Sequence, residues 1–196
     1  MAQYGLTLTT APAKEPVTLD EAKVQCGVAQ EVSYHDAALK GWIAAARAKV
    51  EEDTGRALIT QTWDLSLDCW PTGLTPIYLM KPPVSSVTTV KYYDTSNVEQ
   101  TLSTNVYKVL TARQPCEVHL KYQQQWPSLY SEASVITIRF VCGYGTAETS
   151  VPDGLKAAMK LLIHKWFNPA IGDIDVSYQA LINQFLVGDE FHCYAR

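Results

Sequence analysis

The alternation of apolar and polar positions is clearest between residues 39 and 63, where it predicts a helix, a stop and a strand. Gly55 comes where the helix should end, because glycine adopts the left-handed conformation of a helix terminus at the least energetic cost. Trp63, Leu65 and Leu67 then alternate with polar residues, as in a half-buried strand. The helix before the stop is indicated by apolar residues that recur on one helical face: Leu39, Trp42, Ile43, Ala46 and Val50.

Three further helices are predicted, one before this segment and two after it. Thr18 and Glu21 have the capping-box spacing, which places a short helix at about Leu19 to Cys26, and Asp36 can cap the long second helix. Pro152 suits the first position of a third helix, which Asn168 and Pro169 should end. The third helix has an apolar face of Leu155, Met159, Leu162, Ile163 and Trp166, and a short last helix carries Tyr178, Leu181, Ile182 and Phe185 on one side.

Between residues 59 and 141 the chain is rich in β-branched and aromatic residues, which favour strands. Asp94 to Asn97 form a predicted hairpin turn, and Pro82 and Pro83 mark an edge or a bend. The strand candidates are Gln61–Asp68, Ile77–Met80, Val87–Tyr93, Tyr107–Leu110, Val118–Tyr122 and Val135–Val141.

These elements predict one α+β domain. We expect a small helical bundle of two N-terminal and two C-terminal helices, with an inserted, mostly antiparallel β-sheet. The flanking helices should pack together, because none is long enough to be stable alone. The expected segments are an extended arm (1–16), helices (17–56), an inserted β-layer (57–142), helices (151–187) and a C-terminal tail (188–196).

Composition excludes several classes of protein. With 47% hydrophobic and 18% charged residues in 196, the chain is typical of a globular domain. We expect no membrane span and no secretory signal, and therefore synthesis in the cytoplasm. Tight DNA binding by a monomer is not expected, since 16 basic residues stand against 20 acidic ones and the net charge is −4. A weakly repulsive surface past which DNA slides fits this balance.

No motif predicts a catalytic, cofactor or metal site. The cysteines are scattered without a CxxC pair, so a zinc site is not expected. His192 and Cys193 are adjacent, and in a strand they would point to opposite faces. Asp173 and Asp175 alternate in a loop without the spacing of a calcium site, so we interpret them as solvated acids.

Two sets of residues are candidates for protein interfaces. Glu51, Glu52 and Asp53 lie at the C-terminal end of the second helix, where the helix dipole disfavours negative charge. We therefore expect this acidic run to be solvated or paired with a neighbouring subunit. Trp126 and Tyr130 lie in a polar loop, where they either contact a partner or cover the edge of the sheet.

The tail after Gly188 reads DEFHCYAR, and an exposed aromatic tail indicates docking onto a partner. Its candidate contact residues are Phe191, His192, Tyr194 and Arg196.

Four segments, in order, carry a resemblance to a known family. They are EPVTLDEAK (Glu15 to Lys23), the helix and strand from Ile43 to Asp68, the proline-marked strand pair from Ile77 to Asp94, and the strand and helix from Val135 to Pro169. Together they cover most of the chain. In them the chain resembles the head–tail connector (adaptor or head-completion) proteins of long-tailed bacteriophages and of phage-derived gene-transfer particles.

The resemblance implies a structural virion protein rather than an enzyme. Such proteins form a homo-oligomeric ring, typically of twelve subunits, beneath the portal protein in the virion neck. The ring extends the channel for double-stranded DNA, contacts the tail or a stopper protein, and needs no cofactor or membrane. The resemblance also implies that Gly188 to Arg196 dock on the portal, and that the particle assembles in the host cytoplasm.

Three alternatives remain at this point. The chain could be another virion ring component, such as a stopper or tail terminator, although we expect those to be mostly β. It could be a small hydrolase, which would need convergent polar residues on several elements. It could also be a free-standing binding module, which should be monomeric in solution.

Overall fold

The computed structural model describes residues 4–73 and 75–187, and its elements confirm an α+β fold. The chain divides into two compact units. We call residues 12–60 and 144–186 the helical unit, and residues 4–11 with 61–143 the β unit. The helices are α1 (Leu19–Cys26), α2 (Asp36–Thr54), α3 (Asp153–Phe167) and α4 (Asp175–Ile182), and the strands are β1 (Tyr4–Thr10), β2 (Gln61–Leu67), β3 (Ile77–Leu79), β4 (Val84–Tyr93), β5 (Glu99–Thr101), β6 (Tyr107–Leu110), β7 (Cys116–Leu120) and β8 (Ile136–Cys142).

The helical unit is built around the predicted apolar faces. Buried residues of α2, α3 and α4 form one core with residues from α1 and the segment after α2. Trp42 and Trp166 are partly buried at the edge of this core. None of the described helices is long and apolar enough to cross a membrane. The buried residues of the core of the helical unit include Leu39, Ile43, Ala46, Val50, Leu155, Ala158, Met159, Ile163, Tyr178 and Ile182.

The helix ends follow local chemistry. The Glu21 amide donates to the Thr18 hydroxyl at 3.1 Å, and the Thr18 amide donates to the Glu21 carboxylate at 2.9 Å, which confirms the capping box. Gly55 ends α2 with a φ of 69°, as predicted. Two details differ: His35, not Asp36, is the N-cap residue of α2, and Pro152 precedes the first helical residue of α3 instead of occupying it.

Glu21 also joins α1 to α3, because Lys160 and Lys156 lie 3.0 and 3.2 Å from its carboxylate. Burial alone would raise the pKa of Glu21. The hydrogen bonds from the Thr18 amide, Lys160 and Lys156 outweigh that effect and lower the pKa from 4.5 to about 2. The charged form is therefore favoured by folding. Its stabilising effect is complete above pH 4.5 and is lost as the pH falls towards 2.

We expect Glu21→Gln to lower the free energy of unfolding by about 1–2 kcal/mol at pH 7, a value reduced for solvent screening of this carboxylate. Glutamine preserves the capping geometry, so the difference isolates the charge. Urea unfolding of both proteins at pH 7, 5, 4 and 3 measures it. The gap should narrow steadily below pH 4.5, and a gap that stays constant down to pH 3 would contradict the assignment.

The described strands of the β unit form two antiparallel sheets, where the sequence predicted one layer. The five-stranded sheet has the order β1-β2-β8-β4-β5, and the three-stranded sheet has the order β3-β7-β6. The predicted proline bend is confirmed: Pro82 and Pro83 lie just before β4, and the Pro83 carbonyl accepts a hydrogen bond from the Gly143 amide. The buried residues that face the interior of this unit include Leu65, Leu67, Ile77, Leu79, Val90, Cys116, Val118, Ile136, Ile138 and Phe140.

Two strands lie where the sequence analysis predicted none. Tyr4–Thr10, within the predicted arm of residues 1–16, is extended but forms the first strand of the five-stranded sheet and pairs with β2. Glu99–Thr101 pairs with the end of β4. The predicted turn at Asp94 to Asn97 connects β4 to this strand, and the Asp94 carboxylate accepts hydrogen bonds from the Ser96 and Val98 amides.

Candidate interaction surfaces

The acidic run at the end of α2 is not a continuous acidic surface, which corrects the expectation that it lacks intramolecular partners. One Glu51 oxygen accepts from Arg47 at 2.9 Å, and the other accepts from the Leu58 amide at 2.8 Å. Glu51 therefore fixes the chain just after α2 to the helix end.

Asp53, the second paired member of the run, connects α2 to α4. Lys49 lies 2.6 Å from one of its carboxylate oxygens, and the Tyr178 hydroxyl donates to the other at 2.7 Å. Burial, reinforced by this contact with a carboxylate, raises the pKa of Tyr178. Glu52 is the member of the run whose side chain is exposed.

Replacing Glu51 by alanine should lower the free energy of unfolding by about 1–2 kcal/mol, because the Leu58 amide loses its acceptor and Arg47 loses one of its carboxylates. Glu52→Ala is the matched control, which should change stability by less than about 0.5 kcal/mol. Urea unfolding at neutral pH measures both. Equal effects of the two substitutions would mean that Glu51 has no special structural role.

The loop aromatics Trp126 and Tyr130 are in different environments. Trp126 is partly buried and stacks on Trp70, with ring centroids 4.5 Å apart and an interplanar angle of 7°. Trp70 also contacts Tyr92 of β4 edge-on at 6.1 Å, and its indole nitrogen donates to the Pro127 carbonyl. Trp126 is therefore packed against Trp70, which contacts β4, and its interface role stays a prediction.

Tyr130 is 38% exposed and lies beside the end of β4, where its amide donates to the Tyr93 carbonyl at 3.0 Å. It is held in place by the backbone while its ring remains accessible. Its interface role stays a prediction. The predicted tail contacts Phe191, His192, Tyr194 and Arg196 lie outside the described residues.

Two further polar groups in the described part of the chain have structural partners. His119 and Arg113 both lie 2.6 Å from the same oxygen of Glu117. Burial of Glu117 opposes its charge, but these contacts outweigh burial and lower its pKa. An Asp173 oxygen accepts from the Asp175 amide in the loop before α4. Among the described residues, no group of three or more His, Cys, Asp or Glu could hold a metal ion.

No family model and no curated protein matches this chain. Solved structures do share its fold. A chain from the virion of a native gene transfer agent (GTA) particle superposes with a TM-score of 0.77 at 22% sequence identity, covering 93% of this chain and 95% of that one.

Two further chains come from necks of these particles. One, from the neck of an empty GTA particle computed with C6 symmetry, has a TM-score of 0.77 at 23% identity. The other, from the neck of a native GTA particle computed with C12 symmetry, has a TM-score of 0.74 at 23% identity. In both cases 94% of this chain and 96% of the other are covered. At this level of identity, the likeness establishes a shared fold along nearly the whole chain.

Proposed function

We propose that this chain is a structural protein of a virion neck. The observation that carries the proposal is the shared fold with neck chains of GTA particles, which covers 94% of this chain and 96% of theirs. Because the coverage is nearly complete in both directions, the likeness involves both units rather than a widespread supersecondary motif. The order of the four resembling sequence segments supports the same proposal independently.

In this proposal, copies of the chain form a closed ring of twelve. The related necks are described with C6 and C12 symmetry, which is the property expected of such a ring. A ring requires a heterologous interface, in which one surface of each subunit meets a different surface of the next. Glu52 and Tyr130 are the described members of the predicted interface set whose side chains are exposed.

The ring would act as an adaptor between the portal protein and the tail or next connector, and would extend the DNA channel. The net charge of −4 per chain supports a channel that DNA passes without sticking, because phosphate contacts need clustered Lys and Arg. We assign no catalytic step and no cofactor to the chain. Residues 188–196 would dock on the portal, as the family resemblance implies.

Removal of the chain from the cells that produce the particle tests this proposal. We expect DNA-containing heads without tails, and recovery of tailed particles when the intact chain is supplied in trans. Tailed, DNA-filled particles that form without the chain would overturn the proposal. If heads made without the chain already carry a complete adaptor ring of another protein on the portal, a stopper or terminator role would be favoured instead.

Two finer parts of the proposal have separate tests. Deletion of residues 188–196 should abolish co-sedimentation with portal rings, and unchanged association would exclude the tail as the anchor.

Glu52→Lys should disturb ring assembly or DNA retention while leaving the stability of the free subunit unchanged. Normal particles that retain their DNA would remove Glu52 from the interface.

A further inference from the structure

Strand β1 lies at one edge of the five-stranded sheet, and no described strand pairs with its outer side. It runs for seven residues, Tyr4–Thr10, with the sequence YGLTLTT. It contains neither a charged residue nor a proline. An edge of this kind presents a row of backbone donors and acceptors that another extended segment can pair with.

The other edges of the described sheets differ from β1. Strand β5, at the opposite edge of the same sheet, has three residues, and its Glu99 forms an ion pair of 2.7 Å with Lys91. Strand β3 also has three residues, and β6 has four, including Lys108. Short length and charge are the usual means by which proteins prevent pairing at an edge. Of the four strands at the ends of the described sheets, β1 is the long one that has neither protection. Residues 84–90 of β4, which β5 does not reach, directly follow two prolines and contain two register irregularities, which also discourage pairing.

The side chains of β1 continue the apolar face of the sheet beyond its covered part. The strand register places Leu6 opposite Leu65 and Leu8 opposite Trp63, so these residues share one face. Tyr4 lies opposite Leu67 on that face. Leu65 and Leu67 are 0% and 2% exposed, whereas Leu8 is 42% and Tyr4 is 46% exposed. An added strand with its own apolar side chains would cover this remaining apolar surface.

We propose that β1 accepts an extended segment from a neighbouring copy of this chain, which becomes the sixth strand of the sheet. The identity of this partner rests on the proposed ring. In a ring, each subunit has a neighbour in the same orientation, so one repeated contact covers every β1 edge. Backbone hydrogen bonds would supply affinity, and alternate side chains against Leu8 and Tyr4 would supply specificity.

The geometry of a ring also restricts which segment of the neighbouring copy can supply the added strand. Two β1 strands paired with each other would create a two-fold dimer, which cannot continue around a ring. The added strand therefore comes from a different part of the neighbouring copy. The sheet would then cross the subunit boundary, and β1 would have partners on both sides.

Hydrogen–deuterium exchange of the wild-type chain tests this directly. The peptide that contains Tyr4–Thr10 should exchange rapidly at its outward amides in the isolated subunit. In the neck of assembled particles, about three of those amides should become protected, because about half of the amides of an edge strand point away from its existing partner. The β1 amides that bond to β2 should be protected in both states, and they provide an internal reference.

Two lysine substitutions provide the matched comparison. Leu8→Lys places a charge on the exposed apolar face of β1, and we expect it to reduce incorporation into the ring at least about tenfold. Thr88→Lys places the same charge at an exposed position of β4, which β2 and β8 separate from β1 in the same sheet, and should assemble normally. Equal melting temperatures of the two isolated variants would confirm that both subunits fold.

The outcomes separate this inference from the ring itself. If wild-type rings form and β1 exchanges equally fast in the ring and the free subunit, the inference is wrong while the ring stands. If β1 is already fully protected in the free subunit, the chain covers its own edge and the inference is again wrong. If particles contain this chain without a ring, the proposed function fails and this inference fails with it.

Discussion

Replacing Phe140 by alanine should lower the free energy of unfolding by about 3–5 kcal/mol, among the largest effects of any single substitution in this chain. Phe140 is fully buried in β8, which lies between β2 and β4 in the five-stranded sheet. Its strand register places it opposite Trp63 on one side and Val87 on the other. Alanine would leave a cavity at this position that the rigid strands on both sides cannot close.

Arg139→Ala is the matched control for Phe140→Ala, because the preceding residue of the same strand points to the opposite, exposed face. Arg139 forms a two-point ion pair with Asp64 on the surface of the sheet. Its loss should lower stability by less than about 1 kcal/mol, as for most exposed pairs. Urea unfolding followed by circular dichroism measures both variants. Similar losses would mean that the β unit does not depend on this buried ring.

The second large effect is expected for Trp70→Ala, which should also lower the free energy of unfolding by about 3–5 kcal/mol. Trp70 is buried between Trp126 and Tyr92, and it holds the segment after Trp126 through the Pro127 carbonyl. Without it, Trp126 loses its stacking partner and becomes more exposed to water. A red shift of tryptophan emission under native conditions would report that exposure.

Trp70→Phe separates the two contributions of this residue. Phenylalanine retains an aromatic ring against Trp126 but cannot donate to the Pro127 carbonyl. We expect a loss of about 1–2 kcal/mol with little red shift. If Trp70→Ala and Trp70→Phe have the same emission spectrum and the same stability, Trp126 is held by other contacts. The aromatic stack then does not contribute to the free energy of unfolding.

Elements whose signals are local could be predicted from the sequence. The capping box at Thr18 and Glu21 placed α1 at the bounds that the structure has, and Gly55 placed the end of α2. The apolar spacing of α2 and α3 identified the faces that form the core of the helical unit. These features depend on neighbours within one or two helical turns, so a short window of sequence contains their cause.

Pairing between distant segments could not be predicted in the same way. Tyr4, Leu6 and Leu8 alternate as a strand requires, but the polar residues and prolines that follow favoured an arm, and the partner β2 begins fifty residues later in the sequence. Glu99–Thr101 has no apolar pattern and becomes a strand through the turn that begins at Asp94. The separation into two sheets also follows from pairing that no local pattern specifies.

The acidic run has some contacts that the sequence indicates and one that it does not. Arg47 and Lys49 precede Glu51 and Asp53 by four residues, a spacing that brings opposite charges together on a helix. That signal was present in the sequence. The hydroxyl of Tyr178, which comes from a helix 125 residues later, could not have been assigned to Asp53 without the fold.

The central claim, that copies of this chain form a ring in a virion neck, is tested most directly by cryo-electron microscopy. Particles from the cells that encode the chain would be reconstructed at the head–tail junction without imposed symmetry, to a resolution at which side chains can be traced. The proposal predicts a closed ring of twelve copies of this fold around the DNA channel, between the portal and the tail or next connector. A junction whose density fits other chains throughout, with this chain absent or located elsewhere in the particle, would contradict it.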